Sequence, residues 1–144
     1  MAQPIAISGI HHLRLTVTDV TRSRAFYTNL LGFDVAAQMP PPSDPSYDAV
    51  NAILFGGVVL IKGTLLLGLR PVAPRGDRFD EDRVGLDHLS FSVGSRDALE
   101  DAVRLLDEHG IAHGQITDLP SFGICVLEFR DPDNIQLELT APHE

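Results

Sequence analysis

The sequence predicts an α+β fold made of two tandem βαβββ modules. Two observations carry this expectation. His12-Leu13-Arg14-Leu15-Thr16-Val17 returns as His88-Leu89-Ser90-Phe91-Ser92-Val93, the pattern His-Leu-x-apolar-hydroxyl-Val. Each copy is then followed, in the same order, by a helical apolar pattern, a glycine and a series of strand-like runs. A module of roughly 70 residues is small for independent stability, so two are expected to pack together with their sheets side by side. A generic α+β sandwich with a coincidental repeat is the alternative. The agreement in order, glycine position and strand pattern speaks against it.

In the first module the repeat strand leads into Phe26, Tyr27, Leu30 and Leu31 at helical spacing, closed by Gly32. Strand-like runs follow near 34–38, 50–55, 58–61 and 65–69, punctuated by Gly56-Gly57 and Gly63. Residues 39–45, with Pro40, Pro41, Pro42 and Pro45, read as an irregular loop. The polar stretch 71–83 is the expected linker between modules 8–70 and 84–142 of a single 1–144 domain. In the second module Ser95 is placed to cap a helix, with Asp97 and Glu100 in its first turn suiting the helix dipole. Leu99, Ala102, Val103 and Leu106 supply its buried face and Gly110 its end. Strands are expected near 112–116, 124–129 and 135–139, with Asp131-Pro132-Asp133-Asn134 as a turn.

Composition narrows the function. The 144 residues are 44% hydrophobic and 22% charged, which excludes global disorder. Twenty acidic against 11 basic side chains give a net charge of −9, with Lys62 the one lysine, so nucleic acid is not an expected partner. The single cysteine, Cys125, excludes an intramolecular disulfide and a multi-cysteine zinc site, and reads as a small buried hydrophobe. No apolar run approaches the roughly 18 residues of a membrane helix, and the N-terminus lacks a basic, then apolar leader. A soluble cytoplasmic protein is the expectation.

Strand alternation selects the chemistry. His12, Arg14 and Thr16 fall on one face of the first repeat strand, and His88, Ser90 and Ser92 on that of the second. On the last strand Gln136, Glu138 and Thr140 oppose Ile135, Leu137 and Leu139. Two imidazoles at equivalent repeat positions and one carboxylate make a candidate facial triad that leaves metal positions open. Taken singly, each of the three reads as readily as a solvated side chain.

The segments HHLRLTVTDVTRSRAFYTNLLGF, GLDHLSFSV and FRDPDNIQLEL resemble the vicinal oxygen chelate superfamily, which includes glyoxalase I, fosfomycin-modifying thiol transferases, extradiol dioxygenases and bleomycin-resistance proteins. The resemblance covers about residues 8–142. It implies a U-shaped mixed sheet around a cleft, with helices outside and ligands from the first and last strands of the modules. Mapped here, His12, His88 and Glu138 would hold one divalent ion (Fe, Mn, Zn, Co or Ni). The first module's last-strand position is Gly68, where glyoxalase I-like members carry a carboxylate.

The resemblance implies a metal-dependent lyase, transferase or dioxygenase acting on a small oxygen-chelating substrate, but not a true glyoxalase I. A bleomycin-resistance-type protein that sequesters a drug or natural product without catalysis is the alternative. A structural or regulatory dimer without a small ligand is a third. A homodimer is implied in each case, and antibiotic resistance is one role the family fills. Arg14 and Glu138 are the candidate catalytic residues. Arg14 could bind an anionic substrate or an oxyanion, or pair with an acidic side chain across the sheet. Thr16, Tyr47, Arg70 and Ser90 are further pocket candidates, and Gly68 leaves room for a large ligand. His11 is expected to pack in the core, and His109 and His113 to be solvated.

Overall fold

The computed structural model describes Met1–Glu144, divided into a unit of Met1–Arg75 and a unit of Gly76–Glu144. Each contains one four-stranded mixed sheet, as the repeat predicts.

In the first unit the elements are β1 (Leu13–Thr16), α1 (Val20–Ala25), a π-helical turn (Phe26–Leu30), β2 (Asp34–Gln38), α2 (Tyr47–Leu54), β3 (Val58–Lys62) and β4 (Leu65–Arg70). The sheet order is β1-β4-β3-β2, with β1 parallel to β4 and the other pairs antiparallel. Asp19 starts α1 by accepting a hydrogen bond from the Arg22 amide at 3.1 Å. Tyr27 and Phe33 meet edge to face in the core, beside buried Leu15, Val17, Leu60, Leu67 and Leu69. Burial of each such side chain contributes about 1.5–3 kcal/mol. Gly57 is required by close backbone approach: a Cβ there would lie 2.0 Å from the Leu69 carbonyl oxygen.

In the second unit the elements are β5 (Leu89–Ser92), α3 (Arg96–Glu108), β6 (Thr117–Leu119), a 3-10 turn (Pro120–Phe122), β7 (Ile124–Arg130) and β8 (Gln136–Pro142), in sheet order β5-β8-β7-β6. The Ser95 hydroxyl accepts from the Ala98 amide at 3.2 Å, as a cap should. Leu99 and Leu106 of α3 are buried, as are Cys125, Leu127, Phe129, Leu137 and Leu139 of β7 and β8. The β7–β8 turn is held by the Asp131 carboxylate, which accepts from the amides of Asp133 and Ile135. Asn134 supplies its left-handed residue at φ 67°.

Three expectations are corrected. Residues 50–55, read as a strand, belong to α2 and its left-handed cap Phe55. A short apolar run has no periodicity that separates strand from helix, and Asp44, by binding the amide and hydroxyl of Ser46, sets up a helical start instead. The strand expected at 112–116 is reduced to one bridge, His113 to Phe129, and the ladder begins at Thr117. His113 is not freely solvated: its Nδ1 meets the Gly114 carbonyl oxygen and its Nε2 the Asp107 carboxylate, and these raise its pKa. His109 is exposed, with Nδ1 on the Leu105 carbonyl oxygen.

The segment before β5 is clasped to the β7–β8 turn. Arg130 grips Glu81 through two nitrogens, at 2.6 and 3.0 Å, and Asn134 donates to the Phe79 carbonyl oxygen. The Arg130 hydrogen bond lowers the Glu81 pKa from 4.5 to about 2. A carboxylate whose pKa is depressed on folding stabilises the fold above its unfolded pKa, and that contribution fades as pH falls toward the folded value. Acid titration followed by circular dichroism is therefore expected to show stability lost between about pH 4.5 and 2 in the wild type. In Glu81→Gln that segment of the loss should be absent.

No helix is long and apolar enough to cross a membrane.

Candidate functional site

The parallel pairings give the two sheets the same internal register. Arg14 lies opposite Gly68 in the first unit, and Ser90 opposite Glu138 in the second. The Val17 amide donates to the Arg70 carbonyl oxygen, and the Val93 amide to that of Thr140, both at 2.9 Å. Backbone geometry thus makes His12 equivalent to His88, Arg14 to Ser90, Gly68 to Glu138, and Arg70 to Thr140. Arg14, Gly68 and Arg70, and Ser90, Glu138 and Thr140, lie on the strand face opposite the helix-covered core of their unit, and His12 and His88 directly precede β1 and β5.

In the second unit these positions carry an imidazole, a carboxylate and two hydroxyls. His88 Nε2 lies 4.0 Å from Glu138 Oε2. His88 Nδ1 donates to the Asp87 carboxylate at 2.6 Å, so Nε2 is the ring nitrogen on the Glu138 side. The hydrogen bond to Asp87 raises the His88 pKa, burial opposes it, and Glu138, Asp87 and Glu128 add to the rise. Glu138 is only 13% exposed. Its Oε1 accepts from Thr140 Oγ1 at 3.0 Å. Thr140 thereby spends its proton, so Ser90, 2.5 Å away, donates to Thr140. One carboxylate oxygen is held by this hydroxyl chain while the other faces the imidazole. Glu128 stands opposite Glu138 on β7 and is exposed.

Asp87 and Thr140 contribute without being among the site candidates, although alternation places Thr140 on the polar face. Asp87 immediately precedes the histidine, and Thr140 lies two residues beyond the glutamate on the same face. Both patterns are visible in sequence, but their use depends on rotamers. Ser90 meets the expectation of a polar-face hydroxyl by binding Thr140 rather than standing free.

In the first unit the same positions carry His12, Arg14, Gly68 and Arg70. His12 is exposed and shares a 2.9 Å Nδ1–Nδ1 hydrogen bond with His11. His11 is likewise exposed, against the expectation of a core residue. The strand starts only at Leu13, so alternation does not reach back to residue 11 and cannot turn it inward.

Arg14 donates to the Ile53 carbonyl oxygen at 2.6 Å rather than to an acidic side chain. Gly68 is buried, and the space a side chain would fill belongs to Arg14: a Cβ on Gly68 would lie 3.0 Å from Arg14 Cγ. The room expected beside Gly68 for a large ligand is therefore filled by this stem. Arg70 stacks its guanidinium 4.1 Å from the centre of the Phe55 ring, and Arg14 lies 5.6 Å from the same centre. Thr16 is exposed opposite Arg70, and Tyr47, expected in a loop, opens α2 and is half-buried.

His88 and Glu138 are thus brought together, while within neither unit do three His, Cys, Asp or Glu side chains converge as a metal-binding group. A neutral imidazole nitrogen and a carboxylate oxygen, each oriented by a hydrogen bond to its other atom, are suitable donors for a borderline divalent cation. They fit such an ion as part of a ligand set.

The model of the Glyoxalase/Bleomycin resistance protein/Dioxygenase superfamily matches residues 9–139. YwkD of Bacillus subtilis (strain 168) is 34% identical over 133 residues, which are 92% of this chain and 96% of that one. The crystal structure of a glyoxylase/bleomycin resistance protein/dioxygenase domain from Frankia sp. EAN1pec has a TM-score of 0.75 at 30% identity, covering 96% of this chain and 95% of that one. The fosfomycin resistance protein FosX of Listeria monocytogenes has a TM-score of 0.71 at 17% identity, covering 95% and 93%, a likeness of fold.

Proposed function

Since the chain belongs to the glyoxalase/bleomycin resistance protein/dioxygenase superfamily, we propose that it is a divalent-metal-dependent enzyme acting on a small oxygen-chelating substrate. His12, His88 and Glu138 are the proposed ligands, for an ion of the Fe, Mn, Zn, Co or Ni class. The convergence of His88 Nε2 and Glu138 Oε2, with Asp87 and Thr140 orienting them, is the observation that supports this reading. When bound, such an ion supplies Lewis acidity to substrate oxygens.

The chain's own groups have separate tasks. Asp87 fixes the His88 tautomer. Thr140, primed by Ser90, holds one oxygen of Glu138 so that the other is presented. The Arg14 guanidinium can counter negative charge that develops on a substrate oxygen. Glyoxalase I chemistry is excluded from this proposal because Gly68 offers no base.

A homodimer acting in the cytoplasm completes the reading. The exposed apolar side chains of Ile5, Ile7 and Ile10 support association. Protein purified without chelator is expected to carry about one divalent ion per chain by elemental analysis. Light scattering at micromolar concentration should give twice the 15.7 kDa chain mass. Metal-free protein that added ions do not stabilise would refute the enzyme reading, and a monomer would refute the dimer.

A further inference from the structure

The four equivalent backbone positions of the duplicated sheet have diverged in charge. One position is His in both units, and the other three hold Glu138 and two hydroxyls in the second unit but Gly68 and two arginines in the first. We propose that Arg14 and Arg70 form a binding site for an oxyanion group, carboxylate or phosphonate, carried by the ligand. Assigning that group to the substrate rests on the enzyme reading above, whereas the site itself belongs to the first unit alone.

The chain has 20 acidic residues and a net charge of −9, yet neither arginine is paired with one. Arg83, Arg96, Arg104 and Arg130 are, and Arg24 and Arg78 instead hydrogen-bond to the side chains of Gln38 and Asn134. Instead, both guanidinium groups gather at one ring, 4.1 and 5.6 Å from the Phe55 centre, where like charges repel. Arg70 Nε is buried with no hydrogen-bond partner, a cost that native folds seldom leave standing. Phe55 adopts a left-handed φ of 53°, strained for a bulky residue, and its ring lies within reach of both cations. Gly68 lets the Arg14 stem lie flat on the sheet, and the Ile53 carbonyl oxygen holds one guanidinium nitrogen. Both planar forks are thereby preorganised, with donors left over. Their geometry matches the paired oxygens of a carboxylate or phosphonate. The exposed Thr16 hydroxyl, in register with Arg70, is a further donor beside them.

A purely structural role, pinning the end of α2 to the sheet, would give the arginines no response to anions. Chelator-treated, metal-free protein is titrated with inorganic phosphate and with acetate, against chloride at equal ionic strength, and followed by amide and guanidinium NMR. Saturable movement of the Arg70 Nε–H, Arg14 and Thr16 signals is expected with at least one of the two probes. Arg14→Gln and Arg70→Gln should each weaken that binding by about tenfold. Arg70→Lys, which keeps the cation and stem, serves if the glutamine variant fails to fold and should weaken binding too. No movement beyond chloride in the wild type, or unchanged binding in the folded variants, overturns the proposal. Because no metal is present, a positive result stands even if the chain proves to bind none. Metal binding without an anion response defeats only the oxyanion site.

Discussion

Glu138→Gln and His88→Ala are each expected to lower divalent-ion affinity by at least about 100-fold. Loss of an outer-shell partner alone typically costs 10–100-fold, and a ligand should cost no less. The fold should survive both changes. Glu138→Gln keeps the shape and an oxygen for the Thr140 hydroxyl, and His88 is 38% exposed with no core packing to lose. The check is a competition titration with a chromogenic chelator, run beside thermal melting of the metal-free proteins. Affinity unchanged with an intact fold would remove these residues from the ligand set. Loss of affinity together with a collapsed melting temperature would show that they serve the fold instead.

Glutathione-dependent isomerisation of the methylglyoxal hemithioacetal is expected to be slower than in an ordinary glyoxalase by about 10²–10⁴, the usual worth of a general base. That reaction moves a proton between adjacent carbons. The position equivalent to Glu138 is Gly68, and Arg14 covers it with hydrocarbon and a permanent cation. Leu67 and Leu69 are buried on the opposite face, and Arg70 is a second cation. An assay on metal-loaded protein decides it. Turnover on the order of 10 per second or more would require a base elsewhere.

The repeat was enough to read two equivalent modules and the polar face of each repeat strand, because a His-Leu-x-apolar-hydroxyl-Val strand leaves one apolar and one polar face and only one way to lie under a helix. Residues 50–55 were misread because Val50, Ile53 and Leu54 suit a buried strand and a helix equally. The difference lay in Asp44 and Ser46, a local hydrogen-bond pattern outside the apolar run. His11 was misplaced for a related reason: alternation holds only inside a strand, and the first ladder pair is Leu13 with Leu67.

In the candidate site, His88 was legible as the repeat counterpart of His12, and Glu138 as a carboxylate on the polar face of the last strand. Their orientation was not, since the Asp87 contact and the Ser90–Thr140–Glu138 chain depend on side-chain torsions. The filling of the Gly68 space was hidden likewise. A glycine opposite an arginine reads as an opening until the arginine is seen to lie across it.

Imidazole nitrogen NMR during a zinc titration tests most directly whether His12, His88 and Glu138 are metal ligands. The predicted result is a stoichiometric shift of His88 Nε2 and of one His12 nitrogen, with His88 Nδ1 still protonated on Asp87 and with His109, His113 and His143 unmoved. A zinc response confined to the latter three, or no response at His88, would contradict it.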